Sequence, residues 1–166
     1  KEICDIVHPT YGIITSVGIA HLETFRTTEN IRKTKFELAD SLPENGLAFL
    51  NFDSTPVASG GYTRPHVSYG LTPGLDCYSD DISVSEQGTS FTLHCKGHEP
   101  LRLTTRLLGR HNVLNALAAA AASSALGLSG ECVSRGLATF TGAGRRFEHK
   151  GNYNGAEVYD DYAHHP

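Results

Sequence analysis

Lys35 stands four residues after Ile31, three before Leu38 and seven before Leu42, in the stripe of a helical segment that its apolar residues turn toward a core. A lysine there reads in two ways. Its stem can be covered while the ammonium snorkels to water, or burial can favour the neutral amine, the form that acts as a nucleophile or takes up CO2. His21, with Glu23 nearby, lies at the mouth of a β-branched run and suits a structural hydrogen bond or a metal. Gly109-Arg110-His111-Asn112 opens a second helical segment, where Asn112 reads as an N-cap or as an amide that hydrogen-bonds a planar heterocycle. Arg145-Arg146-Phe147-Glu148 is either a solvated charge cluster or an arginine aimed at phosphate. Asp160-Asp161-Tyr162-Ala163-His164-His165 concentrates ionisable groups after a strand, as a metal site or a sugar-binding edge would.

The elements that must position these groups follow from periodicity. A strand is expected from Tyr11 to Val17, emptying into the loop that carries His21, then a helix over 28–42 and a strand over 47–51. A Gly-, Pro- and Ser-rich stretch holds one short strand, 66–69. From Asp76 the period falls to two: Ile82 and Val84, then Phe91, Leu93 and Cys95, then Leu101 and Leu103, an antiparallel meander with turns at Glu86-Gln87-Gly88 and Lys96-Gly97. Helices over 112–126 and 130–137 follow, the first with an alanine face that permits close packing. Thr141 to Gly144 reads as a hinge, and two short strands lead to Asp160.

Composition excludes several classes. Lys and Arg number 14 against 18 Asp and Glu, and the net charge of −4 argues against nucleic acid or an anionic membrane as a partner bound through bulk charge. Phosphate chemistry then has to be local. Cys4, Cys77, Cys95 and Cys132 are scattered without a C-x-x-C pair, so reduced thiols are expected. No signal-peptide pattern opens the chain, and the apolar tract around Ala116 to Ala122 is interrupted by Asn115, so a cytoplasmic location is expected. The chain has no Met and runs from Lys1-Glu2-Ile3-Cys4 to His164-His165-Pro166, and a piece of a longer polypeptide is the expectation.

Taken in order, AHLETF at Ala20 to Phe25, KTKFEL at Lys33 to Leu38, LLGRHNVLNALAAAAA at Leu107 to Ala122, GAGRRFE at Gly142 to Glu148 and VYDDYAHHP at Val158 to Pro166 resemble the Mur ligase superfamily, the ATP-dependent amino-acid and peptide ligases of peptidoglycan assembly. The resemblance implies an α/β fold. Residues 1–141 would be the later part of a central P-loop-type ATPase domain, with a mixed sheet, flanking helices and an antiparallel meander. Residues 142–166 would be the hinge and first strands of a Rossmann-like C-terminal domain. It implies that His21 binds a second Mg2+ and that Lys35, fourteen residues on, is carbamylated and helps hold that metal, a carbamate being an oxygen ligand suited to hard Mg2+. It further implies that Asn112 contacts the adenine of ATP with His111 packed nearby, that Arg146 rather than Arg145 reaches the phosphates, and that Asp161 holds the ribose hydroxyls.

The reaction so implied is phosphorylation of a substrate carboxylate by ATP, with Mg2+ neutralising phosphate charge, and attack of an amine on the acyl phosphate to give an amide. No G-K-[ST] occurs in the chain. The phosphate loop, the UDP-sugar domain and most of the amine site are therefore expected in the rest of its own polypeptide, and this chain alone is expected to be inactive. AHLETF and KTKFEL resemble the member that adds D-alanyl-D-alanine to the UDP-MurNAc-tripeptide, whereas DDYAHHP looks more like the L-alanine-adding member. The longer match favours D-alanyl-D-alanine. The alternatives are a sibling that adds L-alanine or glutamate or polymerises glutamate on folate, and a non-catalytic nucleotide-binding module.

Overall fold

The structure, a computed structural model, describes residues 2–18 and 27–162. Its most enclosed strand is β2 (Leu47–Asn51), where Ala48 and Leu50 belong to one core and Phe49 to the other, all fully buried. Burial on both faces is why this stretch reads as a continuous apolar run. β2 lies parallel between β1 (Tyr11–Ile14) and β3 (His66–Gly70). β3 pairs in parallel with the start of β4 (Cys77–Ser85), and β5 (Gly88–Cys95) and β6 (Leu101–Thr105) then add antiparallel. The result is one six-stranded mixed sheet in the order β1 to β6. The mixed α/β architecture expected from sequence is the one observed, and the meander continues the parallel half edge to edge.

One face is covered by α2 (Thr28–Asp40) and the short α3 (Thr55–Ala58), the other by α4 (Arg110–Ala125) and α5 (Gly130–Thr139). A short α1 (Glu2–Val7) precedes β1. β7 (Glu148–Tyr153) and β8 (Ala156–Asp160) form a separate two-stranded sheet. Thr27 caps α2 by accepting the Asn30 N–H at 3.2 Å, and the Arg64 guanidinium donates to the carbonyls of Ala39, Asp40 and Leu42 at the far end, satisfying acceptors that a helix end leaves open. In α4, Val113, Ala116, Leu117, Ala118, Ala120 and Ala121 are all buried. That is too many for one stripe, because both the sheet and α5 pack on this helix. Among the described residues no helix is long and apolar enough to cross a membrane.

The meander expected from the period of two is present, but Ile82 and Val84 are exposed, beyond a register shift between Asp80 and Ser83 where Asp81 has a φ of 49°. One expectation is corrected here. Cys77 and Cys95 are not separate thiols: they stand opposite each other in the β4–β5 register with Cα atoms 4.2 Å apart and are joined as a disulfide. Sequence spacing concealed the pair because strand register, not separation along the chain, sets two residues opposite.

The return from β3 to its parallel neighbour β4 takes only residues 71–76, where a parallel connection ordinarily needs ~12 residues or more. It can be short because only the last two residues of β3 pair with the first two of β4, Tyr69 with Cys77 and Gly70 with Tyr78, and Asp76 fastens it. Its Oδ2 accepts the Ser68 N–H at 2.9 Å and the Ser68 hydroxyl at 2.6 Å, and its Oδ1 takes the Lys96 ammonium at 2.6 Å. Burial pushes this carboxyl up, but the hydrogen bonds from Lys96 and Ser68 outweigh it and hold the group at about 2, below the ordinary 3.8. A depressed value means stabilisation that is present above the ordinary value and lost as pH falls through the folded-state one. Asp76→Asn is expected to lower stability by about 1–2 kcal/mol at neutral pH. In urea unfolding at a series of pH values, the gap to the unsubstituted chain should close between about pH 4 and pH 2.

Candidate active site

Parallel strands that end side by side place chemistry beyond their carboxyl ends. After β1 the backbone leaves the ladder and is gripped by side chains. The Tyr69 hydroxyl donates to the Ile14 carbonyl at 3.4 Å, Asn51 Nδ2 to Thr15 at 2.7 Å and Lys35 Nζ to Ser16 at 2.7 Å, while Ser54 Oγ accepts the Val17 N–H at 3.2 Å. This is why the strand stops at Ile14 and not at the expected Val17. The grip fixes where the chain leaves toward His21, which itself lies outside the described residues, as do His164 and His165.

Lys35 is exposed, so its reading as a core-facing residue is corrected: the buried positions are Ile31, Phe36 and Ala39 of α2, then Leu42. It lines a groove with Ile14, Ser16 and Thr34. As an ammonium it repels a cation. A carbamate on Nζ would keep one N–H for the Ser16 carbonyl and turn two anionic oxygens outward, a donor set that fits Mg2+. Among the described residues no cluster of three or more His, Cys, Asp or Glu side chains could hold a metal by itself.

Beyond β2, Asp53 accepts the Leu71 N–H at 2.8 Å and the Thr72 hydroxyl at 2.9 Å and stands 3.8 Å from the Arg110 guanidinium. It ties the strand ends to the start of α4. The sequence reading passed over it, although an acid just past a buried parallel strand is a signal for such a position.

α4 begins at Arg110, so Gly109, not Asn112, is its N-cap. Gly109 has a φ of 95°, the left-handed region that favours glycine, while a Cβ there would meet only the exposed His111 ring, at 2.9 Å, which can swing aside. Asn112 sits one turn in and donates from Nδ2 to the Leu108 carbonyl at 2.8 Å, which braces the preceding loop. That loop, His111 and Asn112 form one wall of a cleft of about 740 Å3, within the size range of small-molecule sites. Thr141 to Gly144, Arg146, Phe147, Glu148, His149 and Tyr159 line the rest of it.

The turn that carries Arg146 is strained. Arg145 and Phe147 have φ values of 58° and 50°, each costing of order 1–3 kcal/mol in a residue other than glycine. The Phe147 ring stacks on Tyr159 with centroids 4.5 Å apart, and the Phe147 N–H donates to Asp161 Oδ2 at 2.8 Å. His149 and Tyr159 are direct partners in the β7–β8 register, an aromatic pair the sequence reading did not single out although alternation in two short strands would have placed it. The fold thus brings His111, Asn112 and Arg146 into one cleft, with Asp161 behind Phe147, while Lys35 lines a different groove.

The family model of the Mur ligase middle domain matches residues 1–123. The chain belongs to the Mur ligase family. It is 39% identical over 163 residues to the UDP-N-acetylmuramate–L-alanine ligase of Geobacter sp. strain M21, covering 97% of this chain and 35% of that protein. Among solved structures it is similar to MurF from Acinetobacter baumannii, with a TM-score of 0.80 and 28% identity over 94% of this chain and 34% of that one. It is also similar to the MurF ligase from Thermotoga maritima in complex with ADP, with a TM-score of 0.76 and 26% identity over 90% of this chain and 35% of that one. The chain spans about a third of the length of these relatives. In this Mur ligase chain the sheet, α2 and most of α4 fall inside the matched residues, whereas Arg146 and Asp161 come from beyond them.

A test of the α4 entrance follows from Gly109. Gly109→Ala is expected to destabilise the chain by about 1–3 kcal/mol, since it puts a Cβ on backbone of positive φ. Gly144→Ala, where a Cβ would meet nothing closer than Glu148 Oε2 at 3.7 Å, is expected to stay within about 0.5 kcal/mol. Denaturant midpoints of the two variants check the difference.

Proposed function

We propose that this Mur ligase chain forms the nucleotide-facing part of an ATP-dependent carboxylate–amine ligase that builds a peptidoglycan precursor on UDP-N-acetylmuramate. The observation that carries the reading is the single cleft holding His111, Asn112 and Arg146, groups that arrive from separate segments and suit a planar base on one wall and phosphate on the other. In this reading residues 1–141 belong to the central ATPase domain and 142–166 to the hinge and the start of the C-terminal domain. The remaining parts of the machinery lie elsewhere in the polypeptide that carries this chain. Asn112 orients the base, His111 packs against it and Arg146 faces the phosphates, while Asp161, expected at the ribose, stands behind Phe147 and outside the residues that line the cleft. His21 and carbamylated Lys35 would hold Mg2+, which when bound supplies neutralisation of phosphate charge. The chain's own contribution is positioning and electrostatics around an acyl phosphate and the attacking amine.

L-Alanine is the amine we favour. The relative at 39% identity bears the name of the L-alanine ligase, and the VYDDYAHHP ending points the same way. The D-alanyl-D-alanine expectation drawn from AHLETF and KTKFEL becomes the second reading, supported by the likeness to MurF of A. baumannii. ATP-dependent phosphate release by the polypeptide that carries this chain decides between them. Release with UDP-N-acetylmuramate plus L-alanine is expected. Release only with the UDP-MurNAc-tripeptide plus D-alanyl-D-alanine would reverse the choice of substrate, and ATP binding without turnover on either pair, or on a glutamate-accepting pair, would favour a binding module.

Two substitutions test the site itself. Asn112→Ala is expected to raise the KM for ATP about tenfold, with a much smaller effect on the KM for the amine; an unchanged ATP dependence would remove Asn112 from the nucleotide site. Lys35→Ala is expected to abolish turnover and to be partly rescued by formate or acetate in the buffer, small carboxylates that replace the lost carbamate oxygens. Normal activity without rescue would sink the carbamate role.

A further inference from the structure

Arg145 and Arg146 are neighbours whose guanidinia both approach the Tyr162 ring, at 4.8 and 5.9 Å from its centroid. Arg145 also lies 3.8 Å from Asp160, and of the two it is Arg146 that lines the cleft. The backbone sets that difference. Arg145 and Phe147 both occupy the left-handed region, where glycine would sit without cost, and each is pinned there from outside the turn. The Arg145 N–H donates to Glu148 Oε2 at 2.8 Å, the Arg145 carbonyl accepts the Tyr162 N–H at 2.8 Å, and the Phe147 N–H donates to Asp161 Oδ2 at 2.8 Å. Glu148 is steadied in turn by Lys150 Nζ at 2.7 Å. Strained backbone of this kind persists only where its surroundings over-determine it.

We propose that Glu148 and Asp161 are positioning residues whose carboxylates lock the Arg145–Phe147 turn in its left-handed shape and so aim Arg146, and not Arg145, into the cleft. The inference rests on the reading of that cleft as the nucleotide site and adds to it a part that no ligand contact requires. Asp161 then acts through the Phe147 amide and Arg146, a role separate from holding ribose hydroxyls. Relaxing either residue to ordinary backbone would break its carboxylate bond, and Arg146 would lose its place along the cleft. The hydrogen bond from Lys150, with the Arg145 amide, also pulls the Glu148 carboxyl below the usual range, so the latch is charged at neutral pH.

A double-mutant cycle on the polypeptide that carries this chain tests the proposal. Asp161→Ala and Glu148→Ala are each expected to lower kcat/KM for ATP about tenfold, yet less than about twofold in an Arg146→Ala background, because the residue they aim is already gone. Asp161→Asn, whose amide oxygen still accepts the Phe147 N–H, should retain most of the activity. A full multiplicative loss in the Arg146→Ala background overturns the latch and leaves Asp161 and Glu148 acting by themselves. Intact activity in both carboxylate variants beside a damaged Arg146→Ala also overturns the latch, while the nucleotide reading stands. An Arg146→Ala variant with normal ATP dependence takes down both. The intraresidue amide-to-Hα NOEs of residues 145 and 147, strong at positive φ and weaker at negative φ, report the turn without any nucleotide: each should weaken in the matching carboxylate variant, and a left-handed turn that survives both variants overturns the proposal.

Discussion

The close seating of α4 on the sheet is the contact from which the rest of the site takes its position. Alanines at 116, 118, 120 and 121 leave little between helix and strands, and Val113 and Leu117 fill the remaining space against Phe49, Tyr69, Phe91 and Leu103. Close-packed interiors transmit displacement, so a bulkier residue in this face would move the whole helix and not one side chain. The helix start moves with it. Because Gly109 must turn at a positive φ directly under the His111 ring, the loop at 107–109, His111 and Asn112 form a wall whose place is set by packing several turns away. Asp53, held by Leu71 and Thr72 and facing Arg110, ties that wall to the strand ends.

Side chains do the work of a ladder at three places where the chain departs from regular structure. Residues 14–17 are gripped by Tyr69, Asn51, Lys35 and Ser54, the short return between β3 and β4 by Asp76, and the 145–147 turn by Glu148 and Asp161. Each substitution of a side chain for a strand neighbour satisfies backbone groups that would otherwise depend on water, and it also frees the segment from the pleat. That freedom lets β1 lead away from the sheet toward the stretch that carries His21, and it lets the 145–147 turn set Arg146 along the cleft.

The sequence made the architecture legible because the periods are clear. The apolar run at 47–51 marked a strand buried on both faces, the alternation at Phe91, Leu93 and Cys95 marked β5, and the alanine tract marked the tightly packed helix. It misled where the outcome depends on register or on partners remote in sequence. Ile82 and Val84 carry the right period but stand exposed beyond a register shift. Cys77 and Cys95 meet only because β4 and β5 pair as they do. Lys35 shares the helical phase of Ile31 and Leu42 yet ends exposed, since the Ser16 carbonyl draws its ammonium to the strand end, and the helix buries Phe36 instead. At the site, the motif residues His111, Asn112 and Arg146 could be named in advance, but not the left-handed turn, because nothing in the residue types Arg-Arg-Phe announces a positive φ.

The two walls of the cleft rest on different energetics. The α4 wall belongs to the main core, whereas the β7–β8 wall is a two-stranded sheet with most of its residues exposed, Tyr153 at 72% among them, and Phe147 just before it is exposed at 71%. A hairpin of this size gains little from its own burial and is marginal by itself. Its shape is instead maintained by the Phe147–Tyr159 stack, the Glu157 carboxylate that accepts the Tyr159 hydroxyl at 2.7 Å, and the bonds around the 145–147 turn. Anything bound between the walls would add contacts to the weaker side and raise its stability by mass action while leaving the α4 side almost unchanged. If the cleft holds a nucleotide as proposed, ordering on binding would therefore fall on the side that carries Arg146.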